Sequence, residues 1–356
     1  MLTRCTQYRG NQFIGAREEK GENMKDINAE MYCFNLFGEP IKPKASGPVA
    51  ERFGFPPFSV LDARSGDWQE RKRAWASVGI KGEIGRDAAS IHCPTSSTQA
   101  APLEDANFTS IFDPTLCECI YRWFSAHDAQ IVDPFAGGSV RGIVAGMLGR
   151  KYWGCDLRQE QIDANNEQTD AIAPEPRPVW VCGDSMQTLE AAPDADLVFS
   201  CPPYGDLEKY SDDPNDLSAM EWHTFKAAYS RIILRAVKRL KPDRFACFVV
   251  GDFRDNRGFY RDFVSGTISA FRDAGAELYN EAILVTSVGS ASMRVTRQFD
   301  AGRKFAKTHQ NVLVFCKGDW RKAAKEAGKD EDARAENQGS RPNFVQQPQY
   351  AIAAGN

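Results

Sequence analysis

The sequence predicts an α/β protein built on a doubly wound, mostly parallel sheet, and three observations predict it. Short apolar runs alternate with helical patterns from residue 131 to residue 317, which is the signature of successive strand–helix units. One of them, Ile131-Val132-Asp133-Pro134-Phe135-Ala136-Gly137-Gly138-Ser139, runs straight into Val140, Ile143, Val144, Met147 and Leu148. That is a strand, a tight turn and a helix, with glycines where the backbone must approach a ligand at the helix amino terminus. Three successive strands also end in an acid, at Asp133, Asp156 and Asp184, and in such a sheet the carboxyl ends of the strands open onto the ligand crevice.

Taken in order, residues 1 to about 25 are polar and Gly-rich and are expected to be poorly ordered. Met31 to Phe37 reads as a strand ended by Gly38 and Pro40. The segment Arg52 to Arg64 leads into a helix with Asp67 at its start, Glu70 three residues on and Gly79 as its stop. Residues 87–109, rich in Ser, Thr, Ala and Pro, read as a linker or mobile loop. Ser110-Ile111-Phe112-Asp113-Pro114 then precedes an apolar helix through Leu116, Ile120, Tyr121 and Phe124, with Asp113 placed as its cap.

Beyond the glycine turn, Tyr152 to Asp156 and Val179 to Cys182 are the second and third strands. Asp156 lies 23 residues after Asp133, near the ~20-residue spacing of a ribose-binding carboxylate. Leu197-Val198-Phe199-Ser200 is the fourth, and its carboxyl end runs into Cys201-Pro202-Pro203-Tyr204, where two prolines fix φ and hold the neighbouring side chains. An acidic loop, Asp206 to Asp216, is followed by a long amphipathic helix carrying Trp222, Phe225, Tyr229, Ile232, Ile233, Val237 and Leu240, ended by Lys241-Pro242. Strands at Phe245 to Asp252, Ala282 to Thr286 and Asn311 to Lys317 complete the set of seven. A helix around Phe263, Ile268 and Phe271 and a basic loop from Arg294 to Lys307 lie between them. From Asp319 the chain is charged, then Gln- and Ala-rich, and reads as a short helix and a disordered tail.

Composition narrows the class. The 356 residues are 42% hydrophobic and 11% aromatic, ample for a packed core. No apolar segment approaches the ~20 residues that cross a bilayer, so a soluble, cytoplasmic protein is expected. Ten scattered cysteines with no Cys-x-x-Cys and only four histidines argue against a zinc site or a disulfide framework. The net charge of −4 is unlike that of a protein that coats nucleic acid, so any polynucleotide site must concentrate positive charge on one face. Residues 64–86 hold six Lys or Arg against three acids, and residues 294–307 hold five against one.

The quoted residues carry a resemblance. Asp133-Pro134-Phe135-Ala136-Gly137-Gly138 resembles motif I of the S-adenosylmethionine-dependent DNA amino-methyltransferases, and Ser200-Cys201-Pro202-Pro203-Tyr204 is similar to their motif IV. Two departures stand out. Ser139 replaces the third glycine, and Cys201, a weak hydrogen-bond acceptor, stands directly before Pro-Pro. The stretch from Arg52 through the 66–79 helix also looks like the amino-terminal extension of some phage and prophage methylases. The resemblance implies a Rossmann-like class I methyltransferase fold with seven strands, the last antiparallel, over residues 110–318. Residues 1–109 would then be a recognition or accessory extension and 319–356 a tail.

It further implies S-adenosylmethionine as cofactor, held by Ser110, Phe112, Asp133, Phe135, Gly137, Gly138, Asp156, Leu157, Asp184 and Ser185. Asp156 would take the ribose hydroxyls and Asp184 the adenine amine. Double-stranded DNA would be the substrate, a flipped adenine or cytosine stacking on Tyr204. The Pro202 carbonyl and position 201 would accept its amine hydrogens, Ser200 compensating for the thiol and Pro203 stiffening the turn. Target recognition would fall to Arg71, Lys72, Arg73, Arg294, Arg297, Arg303 and Lys304. Three alternatives stay open at this stage: a Cys201 thiolate adding to a pyrimidine, a catalytically inactive DNA-binding homologue, and a methylase of RNA or protein.

Overall fold

The computed structural model describes residues 53–80, 112–205, 213–289 and 291–329, together with a two-stranded antiparallel ribbon of β1 (Cys33–Phe34) and β2 (Pro40–Ile41). The ribbon belongs to a separate unit, Met1–Ser46, and the rest of the description concerns the second unit. Residues 1–25, the linker at 87–109, Ser110, the 206–212 part of the acidic loop and the tail beyond 329 lie outside the described residues.

The seven expected strands are all present: β4 (Gln130–Asp133), β5 (Lys151–Asp156), β6 (Val179–Cys182), β7 (Ala195–Ser200), β8 (Leu240–Val250), β9 (Glu277–Val285) and β10 (His309–Lys317). An eighth, β3 (Val60–Asp62), adds to the sheet from the amino-terminal extension by pairing in parallel with β9. The order is β3-β9-β10-β8-β7-β4-β5-β6, with β10 antiparallel to both neighbours and every other pairing parallel. From β4 the chain winds outward through β5 to β6, then returns to the other side of β4 for β7 and β8. The switch point therefore falls between β4 and β7, where a crevice opens at the carboxyl ends.

Alternation along each strand builds two cores. Ile131, Leu197, Phe199, Cys247, Val249, Val312 and Val314 face one side, while Val132, Val198, Ala246, Phe248, Val250, Leu313 and Phe315 face the other, as the period of two requires. The first face is covered by α1 (Gly66–Ser77), α2 (Pro114–Phe124) and α3 (Val140–Met147), the second by α6 (Trp222–Arg239) and α7 (Phe263–Asp273). The remaining helices are α4 (Gln159–Ile172), α5 (Ser185–Thr188), α8 (Ala291–Gly302) and α9 (Trp320–Ala327). The stretch expected as a basic loop thus begins as helix α8, and only residues beyond 302 are extended. Helix α9 packs Ala323 into the first core. No helix among the described residues is long and apolar enough to cross a membrane.

Helix α1 starts two residues earlier than its acid implied, because Ser65 accepts the Trp68 amide at 3.4 Å and is the cap. Its tryptophans point inward, with Trp68 and Trp75 both buried. Between α1 and α2 the buried Glu118 accepts Arg71 Nε and Nη2 at 2.6 Å each, Trp75 Nε1 at 2.7 Å and Arg122 Nε at 3.0 Å. Burial works against the Glu118 charge, but the Arg71 and Arg122 guanidinium groups outweigh it and hold the carboxyl below its ordinary value of 4.5. A carboxyl held low in the folded state stabilises the fold fully above its unfolded value and loses that contribution as pH falls through the folded value. Arg71→Ala is accordingly expected to cost about 1.5–3 kcal/mol, the worth of charged hydrogen bonds. Part of that loss should vanish below pH 4, measured by urea denaturation across pH. A loss independent of pH, or none at all, would refute the linkage.

Candidate functional site

At the switch point lies a cavity of about 350 Å³, within the range of small-molecule sites. The glycine turn after β4, the ends of β5 and β6 and the turn after β7 all contribute to its wall. Of the residues expected to hold a cofactor, Phe112, Phe135, Gly137, Gly138, Asp156, Leu157, Asp184 and Ser185 line it. So do Cys201, Pro202, Pro203 and Tyr204. Two stretches separated by more than sixty residues of sequence therefore meet across one space.

The turn is shaped for close approach. Gly137 has φ +50°, and a Cβ on either Gly137 or Gly138 would meet no atom within 4 Å, so bare backbone faces the cavity. Ser139 closes the motif by pointing away from it. Its hydroxyl donates to Gln168 of α4 at 3.0 Å, so the missing third glycine leaves the open side clear.

Asp156 accepts the Gly137 amide at 3.1 Å with one carboxylate oxygen and the Arg158 amide at 3.0 Å with the other. Burial pushes its pKa above the ordinary aspartate value despite these bonds. Asp184 caps α5 through the Met186 amide at 2.8 Å. Ser185 gives its hydroxyl to the Pro134 carbonyl at 2.5 Å, which ties the β6 turn to the β4 turn.

Asp133 and Ser200, expected at the site, lie beneath it. Asp133 is fully buried and accepts Arg141 Nε at 2.6 Å, the Tyr152 hydroxyl at 2.7 Å, the Ser200 hydroxyl at 2.5 Å and the Phe135 amide at 3.0 Å. Ser200 is buried and committed to that bond, so its hydroxyl does not compensate for the thiol at position 201. The reason is register: β4 and β7 are direct neighbours, with Val132 opposite Val198, which brings the two strand ends together below the cavity floor.

Arg141, which the motif reading passed over, organises this floor. Besides Asp133 it donates to the Phe135 and Ala136 carbonyls at 2.6 and 2.8 Å, and its guanidinium lies 4.6 Å from the Phe112 ring centre. Burial opposes its charge, but Asp133 beside it keeps the guanidinium protonated. The available signal was its place as the sole charged residue of the otherwise apolar helix Val140–Met147.

Tyr204 is fixed at both ends. Its hydroxyl accepts from Gln310 Nε2 at 2.8 Å and donates to the Val249 carbonyl at 3.5 Å, while its ring meets Phe263 edge-on at 5.9 Å. Cys201 Sγ is 3.9 Å from the same hydroxyl. Burial raises the phenol pKa well above its ordinary value, so the ring is neutral. Gln310 lies in the run from His309 to Lys317, but its contact with Tyr204 was not foreseen.

The basic residues separate. Arg71 is spent on Glu118, and Lys72 lies 3.4 Å from Asp113 at the cavity wall. Arg73 is exposed on the outer face of α1. Arg297, Arg303 and Lys304 lie in and after α8, with Arg303 3.7 Å from Asp300. The Arg294 side chain and Ser110 lie outside the described residues.

The fold and cavity together define a doubly wound α/β protein with a ligand site at its topological switch point. No protein-family model and no curated protein matches the chain. Among solved structures it is similar to TrmN from Thermus thermophilus, with 14% identity over 58% of this chain and 49% of that one, at a TM-score of 0.40. A provisionally assigned RNA methyltransferase from Pyrococcus horikoshii shows 13% identity over 70% and 100% of the two chains, at a TM-score of 0.43. A provisionally assigned DNA modification methylase, also from Thermus thermophilus, shows 18% identity over 38% and 51%, at a TM-score of 0.29. The chain spans about half the length of TrmN.

Proposed function

We propose that this protein transfers a methyl group from S-adenosylmethionine to the exocyclic amine of an adenine or cytosine in DNA. The observation that carries the reading is the meeting of a bare glycine turn and two strand-end acids with Cys201-Pro202-Pro203-Tyr204 across one cavity. A nucleoside-type group fits what is present. The open backbone at Gly137 and Gly138 leaves room for it, and Asp156 and Asp184 offer acceptors to hydroxyl and amine hydrogens. When bound, S-adenosylmethionine supplies an electrophilic methyl group.

The chain's own residues do the rest. Tyr204, its ring held by Gln310 and Phe263, presents a face on which an extruded base stacks. An exocyclic amine is a poor nucleophile because its lone pair is delocalised into the ring. The Pro202 carbonyl therefore accepts one of its hydrogens, and position 201 receives the other, as positive charge develops on nitrogen. Half-buried Cys201 fills that second place with a weaker acceptor than a hydroxyl. Arg141 and Asp133 hold the floor rigid beneath these groups.

Isothermal titration with S-adenosylmethionine is expected to show one site, weakened roughly ten- to hundredfold in Asp156→Ala, the worth of charged hydrogen bonds. Because burial raises the Asp156 pKa, wild-type affinity should begin to fall at a higher pH than an ordinary aspartate would dictate as the solution is acidified. Nucleoside mass spectrometry of unmethylated DNA incubated with protein and cofactor should show a methylated exocyclic amine. Absence of cofactor binding, or product on another atom, would overturn the reading.

A further inference from the structure

Outside the cavity mouth, two segments that bind none of the cavity's contents lie against each other. One is the loop between β8 and α7, residues 252–262, and the other runs from α8 to Lys307. Lys304 packs so closely on Gly258 that a Cβ there would come within 2.5 Å of its Nζ, and Lys307 Nζ donates to the Asp252 carbonyl at 3.3 Å. Together the segments hold eight Lys or Arg against four Asp, in a chain whose net charge is −4.

The same surface exposes aromatic rings to an unusual degree. Phe259 is 67% and Phe305 76% exposed, with Tyr260 and Phe299 also open. An arginine accompanies three of them: Arg254 lies 4.0 Å over Tyr260, Arg257 5.8 Å over Phe259 and Arg303 5.2 Å over Phe299. Each pair joins a phosphate-binding group to a stacking face. The patch is also continuous with the proposed base site. Gly205, next to Tyr204, abuts Phe253, and the chain leaving Lys307 reaches Gln310, whose amide grips the Tyr204 hydroxyl.

In a duplex the base faces are covered by their neighbours, so exposed rings gain little from paired DNA beyond its phosphates. Unpaired bases offer those faces, and interleaved cationic and aromatic side chains are what binds them without sequence preference. We propose that this lip is a stacking platform for unpaired DNA nucleotides, so that the target base reaches Tyr204 from a strand held single on Phe259, Tyr260 and Phe305. The proposal rests on the methyl-transfer reading and names the form in which the substrate is presented.

Fluorescence anisotropy of the full chain without cofactor tests it, using a labelled single-stranded DNA of about 20 nucleotides, enough to exceed one site. The same sequence is also offered as duplex and as RNA. The single strand is expected to bind at least about tenfold more tightly than the duplex. Phe259→Ala with Tyr260→Ala should weaken it by about tenfold or more, with the salt dependence unchanged, because stacking releases no counterions. Arg257→Ala with Arg303→Ala should instead flatten the slope of log affinity against log salt by about one unit.

Equal or tighter duplex binding, or an unaffected aromatic variant with native circular dichroism, would overturn the platform, and tighter binding of RNA would overturn its assignment to DNA. A dimer dissolved by the aromatic substitutions, with no oligonucleotide bound, would make the patch an interface between copies. Single-strand binding with no methylated product would leave the platform and remove the methyl-transfer reading. Product formation insensitive to Phe259 and Tyr260 would do the reverse.

Discussion

Asp133→Ala is expected to lower the stability of the fold by about 3–5 kcal/mol, the cost of breaking a buried ion pair by removing one partner. Arg141 is 4% exposed and Asp133 is fully enclosed, so deletion of the carboxylate leaves a guanidinium buried against two carbonyls with no counter-charge. Three further donors, the Tyr152 and Ser200 hydroxyls and the Phe135 amide, lose their acceptor at once. Denaturant midpoints read the loss directly. The double variant Asp133→Leu with Arg141→Met should recover a large part of it, since a well-packed apolar pair carries no desolvation cost. If Asp133→Ala melted with the wild type and lost only cofactor affinity, the acid would belong to the ligand and not to the floor.

That prediction reverses what the motif alone implied for Asp133. The strands were legible because each side-chain alternation and each glycine or proline signal is local, complete within about ten residues. The glycine turn and the Pro-Pro turn were legible for the same reason, and with them most of the cavity wall. What escaped was pairing across the sequence: Arg71 to Glu118 over 47 residues, Ser200 to Asp133 over 67, and Gln310 to Tyr204 over 106. No periodicity records such contacts. The 252–262 loop escaped because its three arginines are balanced by three aspartates. It joins a net positive surface only once Lys304 and Lys307 fold against it.

The eighth strand escaped for another reason. Val60, Leu61 and Asp62 make a run of three residues, too short for alternation to mark, and only the β9 edge makes it a strand. Its placement has a consequence for the site, because the extension is thereby stitched to the sheet from β3 through α1 to Glu118. Arg71 and the tryptophans of α1 are consumed in that stitching. The positive charge expected there for a polynucleotide is therefore reduced to Lys72 at the cavity wall and Arg73 outside it.

Tyr204→Ala is expected to reduce methyl transfer by about two orders of magnitude or more. Loss of a stacked base costs about 1–3 kcal/mol, and a base free to shift by an ångström costs a comparable factor in orientation. Tyr204→Phe keeps the ring but releases the Gln310 and Val249 bonds, so its loss should be smaller and should be matched by Gln310→Ala. Cys201 then separates the chemistries that place a residue before Pro-Pro. If the amine is the nucleophile, Cys201→Ser supplies a better acceptor and raises the rate by a few fold, about the worth of one hydrogen bond, while Cys201→Ala leaves activity measurable. If the thiolate adds to a pyrimidine ring, both substitutions abolish turnover, because neither serine nor alanine forms the covalent intermediate at neutral pH. Single-turnover rates of the three variants on one substrate, with the methylated atom identified in each, decide between them. A Tyr204→Ala enzyme as fast as the wild type would remove the base from this face of the cavity altogether.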